Sequence, residues 1–301
     1  MKTGVRPVLW SVAAFLLLLL LAVPVLNVAA LLLVMVPYVV LYATLSNRAF
    51  ILHLLPVWVA AGAMMGLPIL IMCLFFLVPA VVMGHMYRKQ EPAGKVIRTV
   101  SVVFLAQLML ELVVFDAILD LSLINAVGDS IRTTFNETVA QNPILAASWN
   151  AEMTELLIKT VLNMIPLTFI VLSVAVTVIT HYVARRAVRQ SGVEVPAFPQ
   201  AKDWKLPRGL VIYYLIAYIA DMMMLNAGDS FLKIALMNLV PLLSYVFAFQ
   251  AVGFFFFIAH NRGWHRIVPL LIAVPVLLIP PLSLIGVLDT AFPIRKSFTK
   301  Q

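Results

Sequence analysis

The sequence predicts an all-α, polytopic transmembrane bundle with eight to nine membrane segments. Of its 301 residues, 63% are hydrophobic and only 11% are charged, and the mean hydropathy is +1.05. Apolar runs recur from Val8 to Leu288, and a helix needs about 20 apolar residues to cross a hydrocarbon core of about 30 Å. The alternating strands typical of a membrane barrel are absent from the pattern, so helices must satisfy the backbone hydrogen bonds.

Nine apolar segments follow one another along the chain. They cover residues 8–24, 28–45, 50–65, 67–84, 99–124, 156–183, 209–227, 231–259 and 267–288. The first follows a basic start and imitates a secretory signal, but no small-residue cleavage site precedes the second, so we expect it to remain as a span. Glycine and proline interrupt the short third and fourth segments, which form either two spans or a broken hairpin.

Basic residues set the orientation. The net charge of +8 comes from 21 basic and 13 acidic residues, and the basic ones cluster in short connections, as in cytoplasmic loops rather than in a nucleic-acid-binding surface. With the N-terminus in the cytoplasm, the inner side holds 15 Lys and Arg residues and the outer side holds six. Nine crossings place the basic tail (294–301) outside. Eight crossings, with one short or Pro-rich segment not spanning, return it to the cytoplasm.

Two long connections divide the chain. Residues 191–208 are polar, basic and proline-containing, and are predicted to form a cytoplasmic linker between a six-segment N-terminal bundle (1–190) and a three-helix C-terminal extension (209–301). The outer connection, about residues 125–154, is either a lid or docking surface or a passive tether. Near its end, Asn150 is predicted to cap the next helix, whose first turns carry acidic residues.

Polar side chains at membrane depth form the candidate site. With a helical rise of about 1.5 Å per residue, Glu111 lies about 20 Å from Arg98, and Asp221 lies about 20 Å from Arg208. Gln250 lies about 18 Å from Arg262. We therefore predict that these three side chains share one layer, where no Lys or Arg is expected. Intramembrane acids are functional by default, although hydrogen bonding between neutral acids and amides is the structural alternative.

Asp116 and Asp120 lie further out on the helix that carries Glu111. They are spaced i, i+4 and share one face, whereas Glu111 is about 140° around the helix from Asp116. Asp116 is predicted to line a pocket, and Asp120 fits an ordinary solvated helix end. Gln107, one turn below Glu111, is placed to hydrogen-bond it.

No catalytic, cofactor or metal site is evident in the sequence. The five histidines are scattered, without His-x-x-x-His or Glu-x-x-His spacing. Cys73 is the only cysteine and lies within an apolar run. Nucleotide-binding loops and serine-hydrolase motifs are absent. We therefore expect no enzymatic activity, no cofactor, no metal and no nucleic-acid partner.

Short motifs along nearly the whole chain resemble the bacterial YybS-type family of multispanning membrane proteins of unknown function. These motifs are VPYVVLYATLSNR (36–48), AGAMMGLP (61–68), PAVVMGHMYRK (79–89), KDWKLPRGLV (202–211) and IGVLDTAFPIRK (285–296). The resemblance implies a multi-pass protein of the bacterial cytoplasmic (inner) membrane. The family supplies no established binding residues.

More distantly, the N-terminal region is similar to the substrate-binding components of energy-coupling-factor transporters. Those six-helix proteins hold a small ligand near the outer face and use a separate coupling subunit and two ATPases. The absence of a nucleotide-binding loop in this sequence fits such an arrangement. Their first helix carries small residues at Ala-x-x-x-Ala spacing. This chain departs from that pattern, because Ala13 and Ala14 are not repeated four residues later.

We predict a small-molecule binding or transport component without an ATPase of its own, with its pocket in the outer half of the bundle. Asp116 would line the pocket, Glu111 and Asp221 would form its floor with Gln250 at the same depth, and residues near Trp149 would help to cover it. The excess of carboxylates favours a cationic or hydroxyl-rich ligand.

The alternative prediction is a membrane scaffold or regulator that does not transport anything. It would recruit a cytoplasmic or membrane partner through its basic cytoplasmic linker, with Arg185, Arg186 and Arg189 as the partner-binding residues.

Overall fold

The computed structural model describes residues 4–119, 122–142, 144, 149–224, 230–265 and 267–298, and this part of the chain is helical, without β-strands. The helices are α1 (Val5–Leu20), α2 (Leu26–Leu33), α3 (Met35–Thr44), α4 (Asn47–Met65), α5 (Leu67–Arg88), α6 (Ala93–Leu119), α7 (Leu123–Gln141), α8 (Ala151–Asn163), α9 (Ile165–Gln190), α10 (Gly209–Met223), α11 (Phe231–Arg262), α12 (Ile267–Leu278) and α13 (Ser283–Ala291). Short 3₁₀ turns lie at Ala201–Asp203, Pro280–Leu282 and Ile294–Phe298.

The predicted fold class, a helical membrane bundle, is confirmed. Among the described residues, six helical elements are long and apolar enough to cross a membrane, namely α2 with α3, α4, α5, α6, α9 and α11. A seventh span results if the bent pair α12 and α13 is counted as one, and the apolar helices α1 and α10 are shorter. Each of the nine predicted segments thus corresponds to an apolar helical element, and eight to nine crossings is an approximate count.

The third and fourth segments form two continuous helices rather than a broken hairpin. α4 and α5 have 19 and 22 residues and meet at Gly66, whose φ of 78° reverses the chain. Glycine has no Cβ and adopts this left-handed region readily. The bent element is instead the last one, where α12 and α13 meet at 119°.

The chain divides into two compact units. Unit 1 comprises residues 1–123 and 169–198, and unit 2 comprises residues 124–168 and 199–301. The outer connection therefore belongs to the same unit as the C-terminal helices. The division into 1–190, 191–208 and 209–301 remains a prediction about domains.

Helix α3 is the centre of unit 1. Eight of its ten residues are buried, and it packs against α1, α4 and α5. At its crossing with α5, a Cβ on Gly84 would lie 2.8 Å from Cδ1 of Tyr42, so a larger residue there would force the Tyr42 side chain to move. Arg88, at the end of α5, donates to the carbonyl oxygens of Tyr42 and Leu45 and to Oδ1 of Asn47. These bonds satisfy carbonyls that the end of α3 leaves without helical partners.

Helix α11 is the centre of unit 2, where α10, α12, α13 and the 3₁₀ turn Ala201–Asp203 pack against it. The closest approach is at Gly286 of α13, where an added Cβ would overlap the carbonyl oxygen of Phe247 and lie 2.9 Å from the amide nitrogen of Ala251. Because both obstructing atoms belong to the backbone of α11, a side-chain rotation cannot relieve the overlap.

We predict that Gly286→Ala separates α13 from α11 and destabilises the protein by about 3 kcal/mol or more, the upper range for overpacking a tight contact. The measurement is thermal unfolding in mild detergent, followed by size-exclusion chromatography. Gly94→Ala is the matched control, because nothing lies within 4 Å of a Cβ at that position and alanine is the better helix former. Equal unfolding temperatures for the two variants would contradict the proposed crossing.

Candidate functional site

Asp221, one of the predicted site acids, forms an ion pair with Lys233. The distance from Lys233 Nζ to Asp221 Oδ1 is 3.3 Å, and the two side chains are 25% and 30% exposed. The expectation that no basic residue reaches Asp221 was therefore wrong. α10 ends at Met223 and α11 starts at Phe231, so Asp221 lies in a last helical turn, within reach of the first turn of the next helix.

Glu111 and Asp116 lie on α6 in unit 1, where Glu111 is half-buried and Asp116 is exposed. Gln107 was predicted to hydrogen-bond Glu111, but its amide nitrogen instead donates to the carbonyl oxygen of Phe75 on α5, at 2.8 Å. That carbonyl lies four residues before Pro79, which has no N–H to complete the helical bond. Gln107 therefore satisfies a backbone group that a proline leaves free. Asp120 lies outside the described residues.

Gln250 belongs to a buried polar network in unit 2. Its amide nitrogen donates to Asp289 Oδ2 at 2.6 Å and to the carbonyl oxygen of Trp204 at 3.2 Å. Asp289 also accepts hydrogen bonds from Arg295, with 2.6 Å from Nη2 to Oδ2 and 2.9 Å from Nε to Oδ1. The side chains of Arg295 and Asp289 are only 11% and 0% exposed. The predicted layer of Gln250 with Asp221 is thus replaced by a network of Gln250 with Asp289.

The same arginine holds the linker. Arg295 Nη1 donates to the carbonyl oxygen of Lys202 and Nη2 donates to that of Trp204, each at 2.8 Å. At Gly253 of α11, an added Cβ would lie 2.9 Å from the carbonyl oxygen of Ala201. The linker therefore packs into unit 2 at the depth of Gln250, which counting residues from Arg208 did not reveal.

The contacts of this network are those of a stabilised, buried ion pair. A buried ion pair stabilises only when further hydrogen bonds satisfy its remaining donors and acceptors, and here Gln250 and two linker carbonyls supply them. Asp289 and Arg295 were missed as site residues, although both stand in the motif IGVLDTAFPIRK. The useful signal was an acid and an arginine six residues apart, beyond a proline-rich apolar segment.

The basic residues proposed for partner recruitment lie at the end of α9. Arg185 Nε donates to the carbonyl oxygen of Val195 at 2.9 Å, which folds the start of the linker back onto the helix. The guanidinium of Arg186 lies 5.2 Å from the ring centre of Tyr182. Arg189 lies in the last helical turn, where a cation is favoured by the helix dipole. Arg185 at least has a structural role within the chain.

An open cavity of about 450 Å³ lies in unit 1, between the connection from α1 to α2 and the connection from α4 to α5. Eight of its nine lining residues are apolar, and the exception is Asn27: they are Leu21, Ala22, Asn27, Val28, Leu31, Met65, Pro68, Ile69 and Met72. None of the predicted acids contributes to it. Apolar residues in an apolar sequence carry no signal of a pocket, so the sequence could not indicate these positions.

Within its described residues, the outer connection contains helix α7 and the start of helix α8, which both belong to unit 2. Asn150 caps α8 as predicted, with its side chain accepting from the amide of Met153 at 2.8 Å. Arg132 bridges the helices through Glu155, at 2.7 Å from Nε to Oε1. The Trp149 ring lies 4.8 Å from that of Phe135, and its indole nitrogen donates to Thr154.

The comparisons with known proteins agree on a membrane protein. The family described as "Predicted membrane protein (DUF2232)" matches residues 11–290. The "Uncharacterized protein YybS" of Bacillus subtilis (strain 168) is 23% identical over 250 residues, which cover 80% of this chain and 79% of that protein. No solved structure matches the chain.

We predict that Arg295→Ala destabilises unit 2 by about 3 to 5 kcal/mol, because it leaves Asp289 buried without its cation. The linker should also become more sensitive to trypsin at Lys202, Lys205 and Arg208. Thermal unfolding and limited proteolysis in mild detergent measure the two effects.

The matched control for this arginine is Arg132→Ala, which removes an exposed ion pair and should change stability little. Arg295→Ala combined with Asp289→Asn should recover part of the loss, because the buried charge is gone. A single Arg295→Ala variant as stable as Arg132→Ala would contradict the network.

The contact between α7 and α8 should depend on pH. The hydrogen bond from Arg132 lowers the pKa of Glu155 below its usual value of 4.5. The ion pair is therefore fully formed above pH 4.5 and is lost as the pH falls through the lowered pKa. ¹⁹F NMR of 5-fluorotryptophan at Trp149 reports this contact, and Glu155→Gln should differ from the wild type at pH 7 but not at low pH. A difference that persists after full protonation would contradict the assignment.

Proposed function

The chain belongs to this family of predicted membrane proteins, and from that premise we propose that it is a small-molecule binding or transport component whose pocket is the apolar cavity of unit 1. It is an integral membrane protein with several apolar helices. The proposal assigns it no catalytic chemistry and no ATPase of its own.

The cavity is the observation that supports this function best. Its volume of about 450 Å³ is within the range of roughly 300 to 1,000 Å³ usual for small-molecule sites. It lies at the end of unit 1 where α1 gives way to α2 and α4 to α5. With the N-terminus in the cytoplasm, as the distribution of basic residues favours, both connections face outward, so the pocket opens in the outer half of the bundle.

The lining supports a mainly apolar ligand with one hydrogen-bonding group. Asn27 supplies an amide, while Met65 and Met72 supply flexible, polarisable side chains that adapt to irregular shapes. No lining residue is charged. This chemistry favours a neutral amphipathic molecule over the cationic or hydroxyl-rich ligand expected from Glu111, Asp116 and Asp221.

The backbone beside the pocket has an unusual conformation. Val25, in the connection between Leu21 and Asn27, has a φ of 70°. A β-branched residue rarely adopts this conformation, which costs about 1 to 3 kcal/mol. Strain of this kind is common at ligand sites, and here it lies directly next to lining residues.

The transport proposal still includes a separate coupling subunit with ATPases. The first helix, however, does not favour docking of that subunit through small residues at Ala-x-x-x-Ala spacing, as in energy-coupling-factor transporters. Ala14 is fully buried in the core of unit 1, so this small residue packs within the chain. Recruitment of a partner through Arg185, Arg186 and Arg189 is the weaker alternative, because Arg185 already hydrogen-bonds a backbone carbonyl of the chain itself.

The test is mild-detergent purification followed by native mass spectrometry. We predict that the wild type carries a bound amphipathic small molecule and that Ala22→Trp, which fills the cavity, loses it. Leu74→Trp is the matched control, since Leu74 is exposed and does not line the cavity. Binding unaffected by Ala22→Trp, but lost in Glu111→Gln or Asp221→Asn, would move the site to the acids. The scaffold alternative would be favoured if the wild type carries no small molecule but co-purifies with a partner protein, and if replacing Arg185, Arg186 and Arg189 with alanine removes that partner.

A further inference from the structure

The last apolar segment turns back on itself. α12 and α13 are joined by the turn Pro280–Leu282, and the helix axis changes direction by 119° there. Two consecutive prolines remove two backbone donors at this point and end the helix. Ser283 stabilises the turn by donating to the carbonyl oxygen of Pro280 at 2.7 Å. The bend leaves two possibilities, a broken span or a re-entrant hairpin.

Length argues against a span. α12 has 12 residues, which correspond to about 18 Å of helix, while the hydrocarbon core is about 30 Å thick. After the bend of 119°, α13 runs partly backward along the direction of α12, so its nine residues do not supply the missing distance.

The two ends of the pair lie at the same end of α11. α12 begins shortly after α11 ends at Arg262, following the left-handed turn at Gly263. Beyond α13, the chain returns to the same place, because Asn261 Nδ2 donates to the carbonyl oxygen of Phe298 at 3.5 Å. The Phe298 ring also lies 5.6 Å from that of Phe254. A segment that crossed the bilayer would finish at the opposite end of α11.

The returning tail also meets the linker. Arg295 bonds the carbonyl oxygens of Lys202 and Trp204, and Lys202 Nζ lies 3.2 Å from Nε2 of His260, close to the end of α11. The linker residues, the tail and the end of α11 are therefore one continuous contact region within unit 2.

Charge agrees with this placement. If the tail lies on the linker side, Arg295, Lys296 and Lys300 move from the outer count to the inner count, and the division of basic residues changes from 15 and six to 18 and three. An excess of Lys and Arg on one side is the strongest sequence indicator of the cytoplasmic face.

We infer that residues 267–298 form a re-entrant hairpin that enters and leaves the membrane on the face that holds linker residues 199–208. The bond from Arg295 to Asp289 and the linker closes this hairpin, and the remaining eight apolar segments are the crossings. The tail and the linker then form one basic surface on the cytoplasmic side.

Cysteine accessibility tests this inference without reference to any ligand. In a Cys73→Ser background, Ser297→Cys reports the tail, Gln200→Cys the linker and Thr133→Cys the outer connection. These three positions are exposed. Each variant is treated with a membrane-impermeant maleimide in intact spheroplasts and in inside-out vesicles, and a denatured sample confirms that every thiol is reactive.

We expect Ser297→Cys and Gln200→Cys to be labelled in the same preparation, inside-out vesicles, and Thr133→Cys in the other. Labelling of Ser297→Cys together with Thr133→Cys would overturn the hairpin. A dual phosphatase and fluorescent-protein reporter fused after Gln301 gives an independent reading: fluorescence supports the inference, and phosphatase activity contradicts it.

Discussion

Backbone groups at membrane depth need hydrogen-bond partners, and this constraint explains several of the polar side chains inside the protein. Lipid offers no donors or acceptors, so the free backbone groups at each helix end or proline break must hydrogen-bond another part of the chain. Arg88 serves the end of α3, and Gln107 serves the carbonyl that Pro79 leaves free. Asn238 donates to the last carbonyl of α8 and accepts from the amide of Leu167 at the start of α9. Arg295 serves the linker.

Four of the five motifs that carry the family resemblance meet in pairs, one pair in each unit. In unit 1, PAVVMGHMYRK supplies Gly84 and Arg88, which contact the end of VPYVVLYATLSNR. In unit 2, IGVLDTAFPIRK supplies Arg295, which bonds the backbone of KDWKLPRGLV. Each pair combines a close helix approach with an arginine that caps free carbonyls. The residues of these two pairs therefore describe how each unit is closed, whereas the fifth motif, AGAMMGLP, supplies Met65 and Pro68 to the cavity proposed for ligand binding.

Hydropathy predicted the helices well, because a span of about 20 apolar residues is a strong signal, and local capping predicted Asn150. Side-chain partners were predicted poorly. Counting depth from Arg208 assumed a straight helix beginning at the membrane face, whereas the linker already packs against α11 at Gly253 and α10 ends soon after Asp221. Gln107 was paired with Glu111 by spacing alone, but the free carbonyl of Phe75 on another helix receives its donor. Such pairings depend on tertiary contacts that spacing along one helix does not contain.

The most direct test of this account is a double-mutant cycle between Gln107 and Pro79, with free energies of unfolding measured by SDS titration in mild detergent. Pro79→Ala restores an N–H that can bond the carbonyl of Phe75 within α5. Gln107→Leu should therefore destabilise the wild type but cost less in the Pro79→Ala background, with a coupling of about 1 kcal/mol, the usual scale for hydrogen bonds between membrane helices. An equal cost in both backgrounds would contradict the claim that this polar side chain is present to satisfy a broken helix.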